Sequence, residues 1–146
     1  MKLQHGTWVV VADGEKYLLL RNNVDEDFTD LRVIGKDELD NPAANKQSSD
    51  RAGRMRDNSS DGKSAMEETD WHRVEKERFA HEIAGKLESW AAAGRYDNLV
   101  VIADPRSLGE LRKASGAEMK SRLLVEIDKN LTNATVAEIE KVLNAH

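Results

Sequence analysis

Five consecutive apolar or small residues in the second half of the chain constrain its fold more than any other feature. The run Leu99–Ala103 reads LVVIA, and Asp104-Pro105 follows it directly. A short, continuous apolar run bounded by turn residues predicts a strand that is covered on both faces, most often a parallel one. Proline ends it because proline has no N–H for a sheet ladder. Ligands of open α/β sheets tend to lie beyond the carboxyl ends of such strands, so we expect any site in the folded body near residues 104–106.

The residues after this strand predict a capped helix. Ser107 and Glu110 have the S-x-x-E spacing of a capping box, in which each side chain satisfies a free backbone N–H at the start of a helix. Gly116 follows, and glycine commonly ends a helix. The stretch therefore predicts a buried strand, a tight turn and a helix, in that order.

The rest of the chain extends this pattern to a mixed α/β fold. Asp13-Gly14 between two apolar runs predicts a hairpin, and Phe79, Ile83 and Leu87 recur at helical spacing. The predicted strands are Thr7–Ala12, Tyr17–Leu20, Phe28–Ile34, Leu99–Ala103 and Arg122–Ile127, and the predicted helices begin at Asp70, Ser107 and Thr135. The order β-β-β-α-β-α-β-α, with three antiparallel strands and two right-handed crossovers, is typical of a ribonuclease H-like three-layer domain with a mixed five-stranded sheet.

Length and composition fit one domain over residues 1–146 and exclude several kinds of site. The chain has 22 Lys and Arg against 27 Asp and Glu, a formal charge of −5, which gives no global signal for nucleic acid or an anionic membrane. It has no cysteine, so disulfides and thiolate zinc sites are excluded. No apolar run approaches the length of a membrane span, so we expect a cytoplasmic protein with no membrane partner.

The remaining residues with reactive or aromatic side chains have structural explanations. Trp8, Trp71 and Trp90 are expected in the core or in helix packing, and not as platforms on which bases stack. His72 and His81 are nine residues apart, which is not the i, i+4 spacing of a metal pair on a helix. We therefore expect no metal site of this kind and no cofactor.

A long polar segment separates the third predicted strand from the long helix. From Asp40 to Arg73 there is no Val, Ile, Leu or Phe, so this stretch cannot bury enough apolar area to offset the entropy of ordering it. We expect a flexible, exposed loop over about residues 40–69. Its basic residues favour contacts with phosphates, whereas the aspartates interleaved with them fit a plain solvated linker, and both interpretations stay open. The basic residues are Lys46, Arg51, Arg54, Arg56 and Lys63.

Four motifs resemble a bacterial family that is named for a role in attachment to host cells. They are WVVVADG at residues 8–14, Asp50-Arg51-Ala52-Gly53-Arg54 in the polar segment, ADPRSLGELR at 103–112 and EIDKNLT at 126–132. That family more often has proline in place of Ala52 and aspartate in place of Asn130. It is in turn similar to the middle domain of the class-1 release factors of archaea and eukaryotes, which has a ribonuclease H-like fold.

In those release factors the loop after the third strand carries Gly-Gly-Gln, the tripeptide placed in the ribosomal peptidyl-transferase centre. The polar segment occupies the corresponding place here without that tripeptide, since its one glutamine, Gln47, lies between Lys46 and Ser48. The resemblance therefore implies a ribosome or RNA partner and a non-enzymatic binding protein, without peptidyl-tRNA hydrolysis. The candidate binding residues are Asp50, Arg51, Gly53, Arg54, Arg56 and Lys63 in the segment, and Arg106 and Arg112 beside the start of the following helix.

Two aspartates leave an enzymatic alternative open. Asp13 and Asp104 each follow an apolar strand, and the first and fourth strands of a ribonuclease H-like sheet are neighbours. With Glu75 or Glu82, they would hold two Mg²⁺ ions for phosphodiester cleavage. Turn formation explains both aspartates as well, which favours the non-enzymatic interpretation. A domain for protein interaction or homo-oligomerisation is a third alternative.

Overall fold

The computed structural model describes residues 1–24, 29–38 and 65–146, without the side chains of 37–38 and 65–70. These residues form an open five-stranded sheet with helices on both faces. The strands are β1 (Trp8–Ala12), β2 (Lys16–Asn22), β3 (Leu31–Glu38), β4 (Leu99–Ala103) and β5 (Leu123–Asp128). The helices are α1 (Ala65–Ala92), α2 (Pro105–Ala114), α3 (Ala117–Arg122) and α4 (Val136–Ala145). None of these helices is both long and apolar enough to cross a membrane, as far as the described residues go.

The strand order is β3-β2-β1-β4-β5. The two pairs β1–β2 and β2–β3 are antiparallel, whereas β1–β4 and β4–β5 are parallel. This confirms the predicted mixed sheet and the predicted pairing of the first and fourth strands. All residues of β1 and β4 are buried, as the apolar run in β4 predicts.

Two hydrophobic clusters lie on opposite faces of the sheet. Successive side chains of a strand point to opposite faces, so Val10 and Val101 belong to the cluster under α1, α2 and α3. Their neighbours Val9 and Val11 belong to the cluster under α4. The sheet is therefore the middle of three layers, as predicted.

The start of α2 corrects the predicted capping box. Asp104 is the N-cap and its Oδ2 accepts a hydrogen bond from the backbone N–H of Ser107 at 3.2 Å, with Pro105 in the first helical position. Asp is a good N-cap and proline is favoured at the first helical position, so the helix begins at this pair rather than at Ser107. The capping box predicted at Thr135 and Glu138 is confirmed, since each side chain bonds to the other's backbone N–H at the start of α4.

One further helix start differs from its prediction, and one helix was not predicted. Helix α1 begins at Ala65, so Asp70 lies inside it, and the last residues assigned to the loop are helical. Helix α3 has no local sequence signal, because a side chain of α1 caps it. The Glu88 carboxylate accepts the N–H of Met119 at 2.8 Å, and a Cβ at Gly116 would collide with Cδ of Glu88.

Both edge strands carry a bulge that turns an aliphatic side chain to solvent. The β2–β3 register skips Ile34, and the β4–β5 register skips Leu124. Ile34 is 45% exposed and Leu124 is 49% exposed. Leu31 and Val33 lie in regular register before the bulge, but only Leu31 is buried, so this face of the edge strand is covered only at its start. Phe28, where this strand was predicted to begin, lies outside the described residues.

Candidate functional site

A cleft of about 300 Å³ lies at the carboxyl ends of β1 and β4. Four parts of the chain line it: the β1–β2 turn, one side of α1, the first turns of α2 and the loop after β5. Their side chains include Asp13, Asp104 and Arg106, which the sequence analysis singled out. Ligands of open α/β sheets bind beyond strand ends of this kind, so the cleft is the candidate site of the folded body.

Asp13 joins the two turns at the floor of the cleft. Its Oδ1 accepts hydrogen bonds from the backbone N–H groups of Glu15 and Lys16, at 2.7 and 2.8 Å. Its Oδ2 accepts the hydroxyl of Thr132, in the loop after β5, at 2.7 Å. Both oxygens are thus occupied, so Asp13 closes the β1–β2 turn and fixes the neighbouring loop against it.

Only one carboxylate oxygen of Asp104 has a hydrogen-bond partner among the described residues. Its Oδ2 caps α2, whereas its Oδ1 is buried and has no hydrogen-bond partner among the described residues. A buried acceptor without a partner costs about 1–3 kcal/mol. Capping therefore explains one oxygen of this carboxylate and leaves the other unexplained.

The structure does not bring the expected third carboxylate to these two aspartates. Glu75 pairs with Arg78 at 3.4 Å, and neither Glu75 nor Glu82 lines the cleft. No group of three His, Cys, Asp or Glu side chains is placed to hold a metal ion in the part of the chain that the structure describes.

Carboxylates outnumber cations around the cleft, but cations outside the cleft pair with two of them, Glu77 and Glu110. Glu77 pairs with Arg73 at 3.4 Å. Glu110 lies 3.3 Å from the ammonium of Lys113 and 3.4 Å from the imidazole of His81. Burial raises the pKa of the Glu110 carboxyl, but these two partners outweigh it and the net pKa is lowered. Glu110 therefore stays ionised and bound to its partners.

The two cations of the cleft, Lys76 and Arg106, have no carboxylate partner within the described ranges. Lys76 packs its stem directly over Gly14, where a Cβ would lie 2.7 Å from Lys76 Cγ. The glycine of the β1–β2 turn thus permits this approach and fixes where the ammonium emerges. Both cations therefore lack a neutralising carboxylate among the described residues that line the cleft.

The other predicted anion-binding arginine lies elsewhere. Arg112 pairs through its Nε with Glu126 of β5 at 2.7 Å, and it does not line the cleft. The structure therefore does not bring Arg106 and Arg112 together, because Glu126 holds Arg112 against β5.

The candidate residues of the polar segment, Asp50, Arg51, Gly53, Arg54, Arg56 and Lys63, lie outside the described residues. Both flanks of the segment are described. Strand β3 ends at Glu38, opposite Lys16 at the start of β2, and α1 passes over the same turn where Lys76 covers Gly14. Strand β3 therefore ends at the cleft end of the sheet, whereas α1 begins at Ala65 and reaches the cleft at Lys76.

Comparison with known proteins assigns the chain to a family. A family model described as bacterial archaeo-eukaryotic release factor family 12 matches residues 6–143, nearly the whole chain. The chain belongs to this family. No curated protein matches it. The match confirms the release-factor relationship that the four motifs indicate, and it does not address host attachment.

Two features of this family 12 protein were not predicted from its sequence: the place of Lys76 and Glu77 in the cleft, and the exposure of Trp71. Lys76 and Glu77 are ordinary residues of a charged helix, and only the packing of α1 over the β1–β2 turn brings them to the cleft. Trp8 is buried, and Trp90 packs against it with ring centroids 5.7 Å apart, as expected. The expectation for Trp71 is wrong, since this side chain is 52% exposed on the first turns of α1.

Proposed function

We propose that this release-factor-related domain is a non-enzymatic protein that binds the ribosome or RNA through its basic segment at about residues 40–69. One observation carries the proposal. The strand that precedes the segment, β3, ends at Glu38, opposite Lys16 and beside the β1–β2 turn that lines the cleft with Lys76 and Arg106. This arrangement supports a role for the segment and the cations of the cleft in binding one polyanion.

The charges of the side chains that line the cleft indicate which part of it suits a polyanion. The floor of the cleft presents Asp13 and Asp104, which repel phosphates. The rim presents Lys76 and Arg106, which have no carboxylate partner in the described part of the chain. We therefore assign phosphate contacts to the rim and to Arg51, Arg54, Arg56 and Lys63 of the segment, and not to the floor.

The chain has no two adjacent glycines, so it lacks the Gly-Gly-Gln tripeptide on which release of a peptide from tRNA depends in the related release factors. This absence supports binding without peptidyl-tRNA hydrolysis. On this proposal, a role in attachment to host cells is an indirect consequence of ribosome or RNA binding.

Sedimentation with purified ribosomes over a range of salt concentrations tests the proposal. We expect binding at low salt that weakens as salt is raised, and further weakening by Arg51→Ala combined with Arg54→Ala, because each lost phosphate contact lowers the salt dependence by about one counterion. Lys120→Ala combined with Lys141→Ala is the charge-matched control, since both lysines are exposed and neither lines the cleft. Absence of the protein from the ribosome pellet at low salt contradicts the proposal.

A metal-dependent nuclease is the second candidate, favoured by the shared cleft of Asp13 and Asp104 and by the unpartnered Oδ1 of Asp104. Mg²⁺ or Mn²⁺ titrated against labelled RNA and DNA tests it. Cleavage that Asp104→Asn abolishes supports a nuclease. An Asp104→Asn protein that cleaves as well as the parent excludes these aspartates from the reaction.

A further inference from the structure

We propose that two copies of this chain pair through the free edges of their β3 strands, antiparallel and related by a two-fold axis. Strand β3 is the last strand on one side of the sheet, so one row of its backbone N–H and C=O groups has no neighbouring strand among the described residues. A row of this kind is a template on which another strand can pair. Val33 and Ile34, in the middle of the strand, are 48% and 45% exposed, so the edge is also apolar there.

The hydrogen bonds of the sheet show which residues of β3 face the free edge. The N–H of Asn22 donates to the carbonyl of Thr7 at 2.9 Å, so alternate residues of β2 face β1 and those between them face β3. The outward N–H of Leu31, which donates to Glu140 of α4, agrees with this alternation. After the bulge at Ile34 the series shifts by one residue. The residues of β3 that face the free edge are therefore Leu31, Val33, Lys36 and Glu38.

One two-fold register places these outward residues opposite one another. When two copies of β3 align over their full length, Val33 of one copy lies opposite Lys36 of the other. Each such pair exchanges two backbone hydrogen bonds, which requires that both residues face the partner strand. A shift by one residue places Val33 opposite Gly35 or Asp37, which face β2 instead, so the ladder is specific to the full-length register.

The same register is complementary in charge and in shape. It places Arg32 of each copy opposite Asp37 of the other, and opposite charges across an antiparallel pair stabilise it. The guanidinium of Arg32 is exposed, and its ion pair with Asp30 at 3.2 Å is of a kind that contributes little. Ile34 lies opposite Gly35, where a Cβ would meet nothing closer than 3.9 Å, so the glycine leaves room for an aliphatic side chain of the second copy.

Within the described ranges, another element blocks only the start of this edge. Glu140 accepts the N–H of Leu31 at 2.8 Å, which ends the pairing at Arg32. The paired stretch is short, so we expect a weak, concentration-dependent dimer rather than a permanent one. The opposite edge, β5, differs in charge, because the charged residues of that strand, Glu126 and Asp128, are both acidic and two copies of it repel each other.

Sedimentation velocity of the full chain over a wide range of protein concentration tests the inference. We expect the parent to dimerise as its concentration rises. Arg32→Asp places two acidic residues opposite each other and should raise the dissociation constant of the dimer about tenfold or more. Arg32→Asp combined with Asp37→Arg exchanges the two charges and should return the dissociation constant to within about threefold of that of the parent.

Two lysine variants separate this edge from a general effect of exposed aliphatic residues. Ile34→Lys puts a charge at the centre of the paired stretch and should weaken the dimer about tenfold. Leu124→Lys is the matched control, because Leu124 is 49% exposed at the bulge of the opposite edge. It should leave the dissociation constant within about twofold of that of the parent. Circular dichroism checks that each variant is folded.

Hydrogen exchange of the backbone locates the contact. The N–H groups of Val33 and Lys36 should exchange more slowly at high protein concentration, because they enter the ladder between the two copies. The N–H of Arg32 faces β2 in the single chain, so its exchange should not depend on concentration.

A dimer that Arg32→Asp weakens and the exchange of both charges restores supports the inference. A parent that stays monomeric at every concentration contradicts it. The inference is also wrong if Arg32→Asp and Ile34→Lys leave the dimer unchanged, or if the exchange of charges does not restore it. None of these outcomes bears on ribosome binding, which requires only one copy of the chain.

Discussion

The two ends of β1 and β4 are surrounded by different kinds of side chain. At their amino ends, Trp8 stacks on Tyr96 with centroids 4.7 Å apart, and Trp90 meets Trp8 edge-on. The guanidinium of Arg95 lies 5.9 Å from the centroids of both indoles. At their carboxyl ends the strands finish with the small residues Ala12 and Ala103, and polar turns follow. One end is filled with rings, and the other leaves a cleft.

This contrast separates stability from recognition within one sheet. At the amino end, large rings in contact supply packing, and the hydroxyl of Tyr96 donates to the carbonyl of Leu87 at 2.7 Å. One buried polar atom there, Oγ1 of Thr7 directly before β1, has no hydrogen-bond partner among the described residues. The carboxyl end holds the unpartnered Oδ1 of Asp104 and two cations without carboxylate partners in the described part of the chain. We therefore expect substitutions at the amino end to change folding and those at the carboxyl end to change binding.

The largest expected effect is on Trp8. Trp8→Ala removes a ring that is 4% exposed and in contact with two other aromatic rings, so we expect a loss of about 3–5 kcal/mol in the free energy of unfolding. Trp8→Phe keeps one ring and should cost about 1–3 kcal/mol, which stays measurable if the alanine variant does not fold. Urea unfolding followed by circular dichroism measures both.

Trp71→Ala is the control for this comparison. The same change of residue type at an exposed site should alter the free energy of unfolding by no more than about 0.5 kcal/mol. A cost at Trp71 similar to that at Trp8 would mean that the two ends do not differ in the way proposed.

The sequence predicted the strands better than it predicted the side chains that α1 brings to the cleft. The apolar runs predicted β1 and β4 to within a residue, because burial on both faces leaves a continuous pattern in the chain. The same strands placed Asp13 and Asp104 together. Arg106 was predicted from the sequence, whereas the place of Lys76 and the exposure of Trp71 were not, because both depend on the position of α1. Helix α3 was missed because its cap comes from Glu88, on another helix.

A pair of glycines gives the second test, since each lies under a side chain of α1. A methyl group at Gly116 collides with Glu88, whose carboxylate holds the start of α3, so Gly116→Ala should cost about 2 kcal/mol in lost hydrogen bonds. A methyl group at Gly14 would lie 2.7 Å from Lys76 Cγ and 3.0 Å from Lys76 Cβ, an atom fixed to the backbone of α1, so Gly14→Ala should cost about 1–3 kcal/mol through overpacking.

The effects of the two glycine variants on binding should differ. Gly14→Ala displaces the stem of Lys76 and should weaken sedimentation with ribosomes, whereas Gly116→Ala should leave the binding of the folded protein unchanged. Weaker binding by Gly116→Ala alone would contradict the separation of the two ends.

The smallest expected effect is on the stability that Tyr96 contributes at the amino ends of β1 and β4, and it appears only at high pH. Burial, opposed by Arg122 and assisted by Glu88, raises the pKa of Tyr96 from 10.0 to about 12. The folded state therefore holds this proton more tightly than the unfolded chain does. The resulting stability is complete below pH 10 and is lost as the pH rises towards 12, by about 1–2 kcal/mol.

Tyr96→Phe isolates this effect from the titration of the lysines, which both proteins share. At pH 8 the variant should be about 1 kcal/mol less stable, because it loses the hydrogen bond to Leu87. Between pH 10 and 12 the parent should lose that advantage, since only the parent has a phenol to ionise at this position. Urea unfolding at several pH values measures the difference, and tyrosinate absorbance reports the ionisation. A stability difference that stays constant to pH 12 would show that the ring of Tyr96 is reached by water, and that the amino end is not closed in the way its packing indicates.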